Sequence, residues 1–194
     1  MKYDLIVIGG GAGGLSVATV LKQLCPEKSV LVVRRTARQP IPCGVPYIVE
    51  TIGSIDGNII SDDVYGKLGI DLVIDEVIEI DRESKKIRTR SDKTFTYDKL
   101  VIATGARPAE INIPGIDLQN VVLIYKEYEH LQEVFDVLKR ARRIVIVGAG
   151  FVGMELADDL CRRREIHIVE ILDEALPLAF DREFGELARK ELES

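Results

Sequence analysis

Leu5-Ile6-Val7-Ile8-Gly9-Gly10-Gly11-Ala12-Gly13-Gly14 is the stretch whose reading decides the fold. Leu5 to Ile8 is an unbroken apolar run, as in a strand buried on both faces. Gly9, Gly11 and Gly14 follow at G-x-G-x-x-G spacing, and an amphipathic helix is predicted from Leu15 to Leu24. Each glycine has a physical task. Gly9 permits a tight turn out of the strand, Gly11 keeps side chains away from a pyrophosphate, and Gly14 lets helix and strand pack closely. The helix N-terminus then offers unpaired N–H groups and a positive dipole end to phosphate, and Ala12 and Gly13 are counted with the three glycines as cofactor-binding. One such loop alone is also compatible with a plain glycine-rich turn.

The pattern recurs about 140 residues later. Arg143 to Val147 reads as a buried strand, and Gly148-Ala149-Gly150-Phe151-Val152-Gly153 repeats the glycine spacing. A helix from Met154 to Arg163 and a strand from Ile166 to Val169 follow. Glu170 ends that strand, where a ribose-binding carboxylate belongs in a dinucleotide unit. Its charge would repel a 2′-phosphate, favouring NAD(H) over NADP(H). The Arg162-Arg163-Arg164 run weakens that preference slightly, although such runs are usually solvated helix ends.

The first unit departs from this rule. Its second strand, Ser29 to Val33, ends in Arg34-Arg35 where an acid is expected. The ribose contact is lost, moved, or replaced by an arginine that meets the adenosine moiety; two solvated arginines are the equally weighted alternative. Next comes Ala37 to Tyr47, stiffened by Pro40 and Pro42. A short helix is expected to begin at Cys43, with Pro46 tolerated in its first turn. A cysteine at a helix N-terminus has a stabilised thiolate, so Cys43 is the candidate nucleophile. Cys25 and Cys161 read as packing residues.

Ser61-Asp62-Asp63 reads as a cap for a helix over Val64 to Leu68. Strands are expected at Leu72–Ile80, Lys86–Arg90 and Thr94–Tyr97, an antiparallel meander inserted into a parallel-sheet domain. It leads into a buried strand, Lys99 to Ala103, ending at Thr104-Gly105, where glycine permits close backbone approach to a ligand. Residues 107–115 read as a linker. A short strand at Val121–Ile124 and an amphipathic helix from Glu127 to Arg140 follow.

Composition narrows the function. The 194 residues carry 46% hydrophobic and 30% charged side chains, as in a globular chain with a sizeable core. A net charge of −6 argues against a general nucleic-acid binder. No apolar run reaches membrane-span length and no signal-peptide layout is present, so a cytoplasmic location is expected. Three widely spaced cysteines and two histidines make neither a disulfide framework nor a metal site.

Taken together, the first loop, Cys43-Gly44-Val45-Pro46-Tyr47, Ala103-Thr104-Gly105-Ala106-Arg107-Pro108 and Gly148 to Glu155 make the chain similar to the flavin- and NAD-dependent disulfide oxidoreductases. The closer resemblance is to their single-cysteine branch of NADH oxidases, coenzyme A-disulfide reductases and persulfide reductases. The resemblance implies an α/β fold: two Rossmann-like, three-layer dinucleotide units, an inserted β-meander, and a truncated second unit. Residues 1–112 would be the FAD-binding domain, with the meander at about 70–97, and 113–194 an incomplete NAD(H)-binding domain. FAD would lie on the first loop beside Thr104-Gly105, and NADH on the second with Glu155 near the nicotinamide. The acceptor would be oxygen, coenzyme A disulfide, polysulfide or persulfide, and no nucleic acid or membrane would be a partner. Three departures stand out. Ile48 occupies the second position of the dithiol branch's C-x4-C, so Cys43 has no internal partner there. Gln39-Pro40-Ile41-Pro42 replaces the usual Ser-Phe and Asn before the cysteine. The first loop lacks the histidine of the peroxidases. Family members run to more than twice this length and dimerise through a later domain. The chain is therefore expected to be either a fragment of a larger enzyme or a short, non-catalytic nucleotide-binding relative.

Overall fold

Tyr3, Ile6 and Ile8 face one way from the first strand and Leu5 and Val7 the other, and all five are buried. That double burial follows from the apolar run and makes β1 (Lys2–Ile8) the central strand of a sheet covered on both faces. In the computed structural model, which describes residues 1–109 and 111–193, β1 is followed by α1 (Ala12–Leu24) and β2 (Val30–Arg34). Next are α2 (Asp63–Lys67) and strands β3 (Asp71–Ile74), β4 (Val77–Asp81), β5 (Lys86–Thr89) and β6 (Thr94–Ile102). Glu110, in the stretch read as a linker, lies outside the described residues, as does Ser194.

The six strands run in the order β3-β2-β1-β6-β5-β4. β3, β2, β1 and β6 from Thr96 onward are parallel, while β4, β5 and the start of β6 form the antiparallel meander. β3 and β4 thus occupy opposite edges, yet only Asp75 and Glu76 separate them. A flat six-stranded sheet would hold its edges roughly 24 Å apart, and this link spans at most about 11 Å. The sheet must therefore fold over on itself. Its layers confirm this. Ala18 of α1 and Tyr65 of α2 pack with Leu5, Val7, Val30 and Val32 on one face. Ile87 and Phe95 of the meander pack with Ile6, Leu31 and Val33 on the other. The expected three-layer unit is present, with the meander as its third layer.

Three sequence expectations need correction here. The strand expected over Leu72–Ile80 is two strands, because the chain turns at Asp75-Glu76; the Asp75 N–H still bonds the Arg34 carbonyl, and the Arg90 N–H bonds that of Glu76. The two strands expected at Thr94–Tyr97 and Lys99–Ala103 are one, β6, which pairs with β5 over Thr94–Thr96 and with β1 over Thr96–Ile102. No strand forms over residues 121–124.

Residue contacts divide the chain into two compact units, Met1–Pro42 with Ile59–Tyr128, and Cys43–Asn58 with Glu129–Ser194. The second is built on a βαβ repeat: β7 (Arg143–Val147), α4 (Phe151–Leu160) and β8 (Glu165–Val169), the strands pairing in parallel. α3 (Tyr128–Arg140) leads into this repeat and α5 (Arg182–Glu193) follows it. α3 buries Leu131, Val134 and Leu138 at helical spacing, while Phe135 is half-buried beneath the Lys139 ammonium. Among the described residues this unit's sheet has two strands, and Val145, Val147 and Val169 are exposed.

Candidate functional site

The carboxyl ends of β2, β1 and β6 lie side by side. The Gly9 N–H bonds the Val33 carbonyl, and the Ala103 N–H bonds the Ile8 carbonyl. At this edge a cavity of about 720 Å³ is lined by Gly9 to Gly13, Arg34, Arg35, Gln39, Pro42, Ala103 to Arg107 and Lys126. The position is where parallel sheets bind ligands.

The loop geometry explains its glycines. Gly9 has φ +111°, and a Cβ there would meet the Ala103 carbonyl at 2.1 Å. A Cβ on Gly14 would stand 1.9 Å from the Gly9 carbonyl oxygen, so helix and loop touch through backbone. Gly11 and Gly13 are different. A Cβ on Gly13 meets nothing within 4 Å, and one on Gly11 meets only the Gln39 amide at 4.0 Å. Space a side chain would fill is thus left over the start of α1, where Gly11 is the N-cap without a side-chain cap. Such an open helix start is where a pyrophosphate would be held, its oxygens facing the first-turn N–H groups. Gly105, at φ +78° with open space around it, and the exposed Thr104 continue the cavity wall.

The two arginines after β2 part company. Arg35 is exposed and pairs with Glu127. Arg34 is only 2% exposed, so the solvated alternative fails for it. Its Nη2 donates to the Ala37 carbonyl and the Asp62 carboxylate, both at 2.7 Å, and its guanidinium lies 5.8 Å from the Tyr65 ring centre. Asp62 is the N-cap of α2 but makes no side-chain cap bond, because its carboxylate is turned to Arg34. The Tyr65 hydroxyl donates to the Gly10 carbonyl at 3.2 Å, and burial pushes its pKa up against the pull of Arg34.

In the second unit, Cys43 is exposed and sits in a 3-10 stretch, Pro42–Tyr47, rather than at the start of an α-helix. Pro46 inside it removes an N–H, and so short a stretch aligns too few peptides to act as a helix dipole. Ile48, at the position of the missing second thiol, is buried. Gly44 packs against Asn58, whose Oδ1 would be 2.0 Å from a Cβ. Sequence reasoning missed what anchors this segment. Asp159 of α4, itself buried, accepts from the Glu50 and Thr51 N–H groups at 3.0 and 2.9 Å. Glu50 in turn pairs with Arg164, whose side chain is 5% exposed and also donates to the Leu138 carbonyl. Arg164 is therefore no solvated helix end. The signal lay in Asp159, an acid next to Leu160 on the apolar side of α4, where a charge must find partners. Cys161, expected to pack, is exposed at the C-cap of α4, while Cys25 is half-buried.

The second loop repeats the first. Gly148 has φ +105° and a Cβ on Gly153 would lie 2.1 Å from its carbonyl oxygen; Gly148 and Gly150 have open space instead. Gly150 caps α4 as Gly11 caps α1. Phe151 and Val152 are exposed at the helix start, Phe151 meeting Phe180 edge-on at 6.0 Å. Glu155 lies near enough to Tyr47 that its charge, behind the larger effect of burial, raises the phenol's pKa. Glu170 turns back to the loop. Its carboxylate accepts from the Ala149 N–H at 2.8 Å and from the Ile171 and Leu172 N–H groups, which hold its pKa below the usual range. A cavity of about 350 Å³ beside β8 includes Ala149 and Glu170 but none of the loop glycines.

Two loops of one geometry in one chain agree with what similarity to known proteins shows. The family model for pyridine nucleotide-disulphide oxidoreductase matches residues 3–194. The NAD(P)H sulfur oxidoreductase (CoA-dependent) of Pyrococcus abyssi is 32% identical across 99% of this chain and 45% of that protein. The NADH oxidase of Methanocaldococcus jannaschii is 30% identical across 97% and 44%. The solved NAD-dependent persulfide reductase from A. fulgidus superposes with TM-score 0.82 at 32% identity, over all of this chain and 38% of that one. The chain thus spans less than half the length of these relatives. Through the doubled glycine loop and a match over nearly every residue, it belongs to the pyridine nucleotide-disulphide oxidoreductase family.

Proposed function

We propose that this chain forms the nucleotide-binding part of a flavoprotein oxidoreductase that oxidises NADH and reduces a small disulfide or persulfide at Cys43, with oxygen as the alternative acceptor. The duplicated loop carries the reading: a Cβ would stand 1.9 Å from a carbonyl oxygen at Gly14 and 2.1 Å at Gly153, each below an open helix start, which supports two dinucleotide cradles. FAD on the first loop supplies two-electron chemistry between nicotinamide and sulfur. The chain's own residues do the rest. Gly11, Gly13 and the first turn of α1 take the FAD pyrophosphate, and Thr104 and Gly105 line the same cavity. Gly148 to Gly153 take the NADH pyrophosphate. Glu170 accepts from the adenosine ribose hydroxyls while keeping its bonds to the loop, and Glu155 faces the nicotinamide end. Cys43, next in the chain to the cavity-lining Pro42, is the exposed thiol that attacks a substrate sulfur and expels the other as a thiol.

The deciding experiment is a visible absorption spectrum of the 194-residue chain with FAD, before and after anaerobic NADH. A bound-flavin spectrum that bleaches on NADH addition supports the reading. Retained nucleotide without bleaching favours a non-catalytic nucleotide-binding module.

A further inference from the structure

At the ribose end of the first site the donor and acceptor roles are reversed. The fold places an acid at the end of the second strand, where it accepts from ribose hydroxyls and repels a ribose phosphate. Here Arg34 stands at that place, a side chain that only donates. It is 2% exposed and lines the cavity shared with the glycine loop. A Cβ on Gly10 would meet its Cδ at 2.7 Å, so the arginine stem passes directly against the loop. Nη2 is committed to Asp62 and Ala37, but Nε and Nη1, both buried, have no hydrogen-bond partner among the described residues. The adjacent Tyr65 interacts with the guanidinium, which pulls the phenol's pKa down against the larger effect of burial. Buried guanidinium donors are costly to leave unmade, and their partners of choice are carboxylate and phosphate oxygens.

Other charges around the cavity set the balance. Arg35, Arg107 and Lys126 line it with Asp75, Glu76 and Glu127, and Glu127 is already paired with Arg35. Asp62 offsets one edge of the Arg34 guanidinium from a half-exposed position.

We propose that Arg34 is the specificity-determining residue of the first nucleotide site, and that it sets the adenosine end to read acceptor atoms. An adenosine nucleotide with a phosphate on its ribose then binds there at least as well as one without. This rests on the reading of the first cavity as a nucleotide site. It extends that reading by naming a ligand class the second site, with Glu170, rejects.

The test is titration of the 15N-labelled chain with 5′-AMP and with adenosine 2′,5′-bisphosphate. The amides of Gly9, Gly10 and Gly11 report the first loop, and those of Gly148 and Gly150 the second. At the first loop the bisphosphate should bind as tightly as 5′-AMP or more so, and Arg34→Gln should lower that preference about tenfold. Asp62→Asn, which removes the competing carboxylate, should raise it. Weaker bisphosphate binding by the native chain, or a preference unchanged by Arg34→Gln, overturns the proposal while leaving the nucleotide site in place. If neither nucleotide shifts the first-loop amides, the site itself is wrong and the proposal falls with it. Should Arg34→Gln fail to fold, the native preference and the Asp62→Asn shift decide.

Discussion

The Cβ that Gly14 lacks would stand 1.9 Å from the carbonyl oxygen of Gly9, while the one Gly13 lacks would touch nothing. Neighbouring glycines in one helical turn therefore have opposite expected responses to alanine. Gly14→Ala should destabilise the chain by at least about 2 kcal/mol, since helix and loop must separate. Gly13→Ala should gain about 0.5–1 kcal/mol from reduced backbone entropy, yet weaken nucleotide binding because its methyl enters the cradle. Urea denaturation with and without FAD measures both. Equal losses of stability in the two variants would contradict the geometry.

Asp159 holds the segment that follows Cys43. Asp159→Ala leaves the Glu50 and Thr51 N–H groups without their acceptor and should cost about 1–3 kcal/mol. Hydrogen exchange should speed up at residues 50 and 51 before it does in β1. Unchanged exchange there would mean the carboxylate is not the anchor.

Glu170 ties its loop through three backbone donors, so its folded pKa lies below the ordinary 4.5. A depressed carboxylate pKa contributes stability that is full above the unfolded value and lost as pH falls through the folded one. The stability difference between the native chain and Glu170→Gln should be constant at neutral pH and shrink below about pH 4.5. Thermal melts across that range check it; a gap that widens in acid would reverse the sign.

Cys43 and Cys161 are exposed and Cys25 is half-buried. Two thiols should react rapidly with an aromatic disulfide reagent in the native chain, and the third only slowly. Cys43→Ser should remove one fast phase and abolish disulfide reduction, with flavin bleaching by NADH retained. Undiminished disulfide reduction in that variant would end the assignment of Cys43.

Much of the fold was legible because burial on both faces leaves an unbroken apolar run. β2, β7 and β8 lie within a residue of their expected places, and β1 ends where expected but starts three residues earlier. The meander was legible from its turns, but its joints were not. Asp75-Glu76 looks like two polar positions in an alternating strand, and only pairing with β2 on one side and β5 on the other splits it. Asp98-Lys99 looks like a break, yet β6 runs through it because its pairing with β1 extends on both sides, from Thr96 to Ile102. At the site, the cradle glycines followed from spacing. The burial of Arg34 did not, because it depends on Asp62 and Tyr65, about thirty residues away in sequence.

The pairing of β1 with β6 has a consequence for how the chain is made. Leu5 lies opposite Lys99, so the central strand meets its second neighbour about ninety residues later. At roughly 5–20 residues per second, the first strand leaves the ribosome several seconds to some twenty seconds before that partner exists. Until then its Ile6-Val7-Ile8 segment has only β2 beside it, with the meander face uncovered. Nascent chains halted before residue 94 should therefore be the ones that chaperones hold and proteases cut, and release past Ile102 should end that exposure in one step.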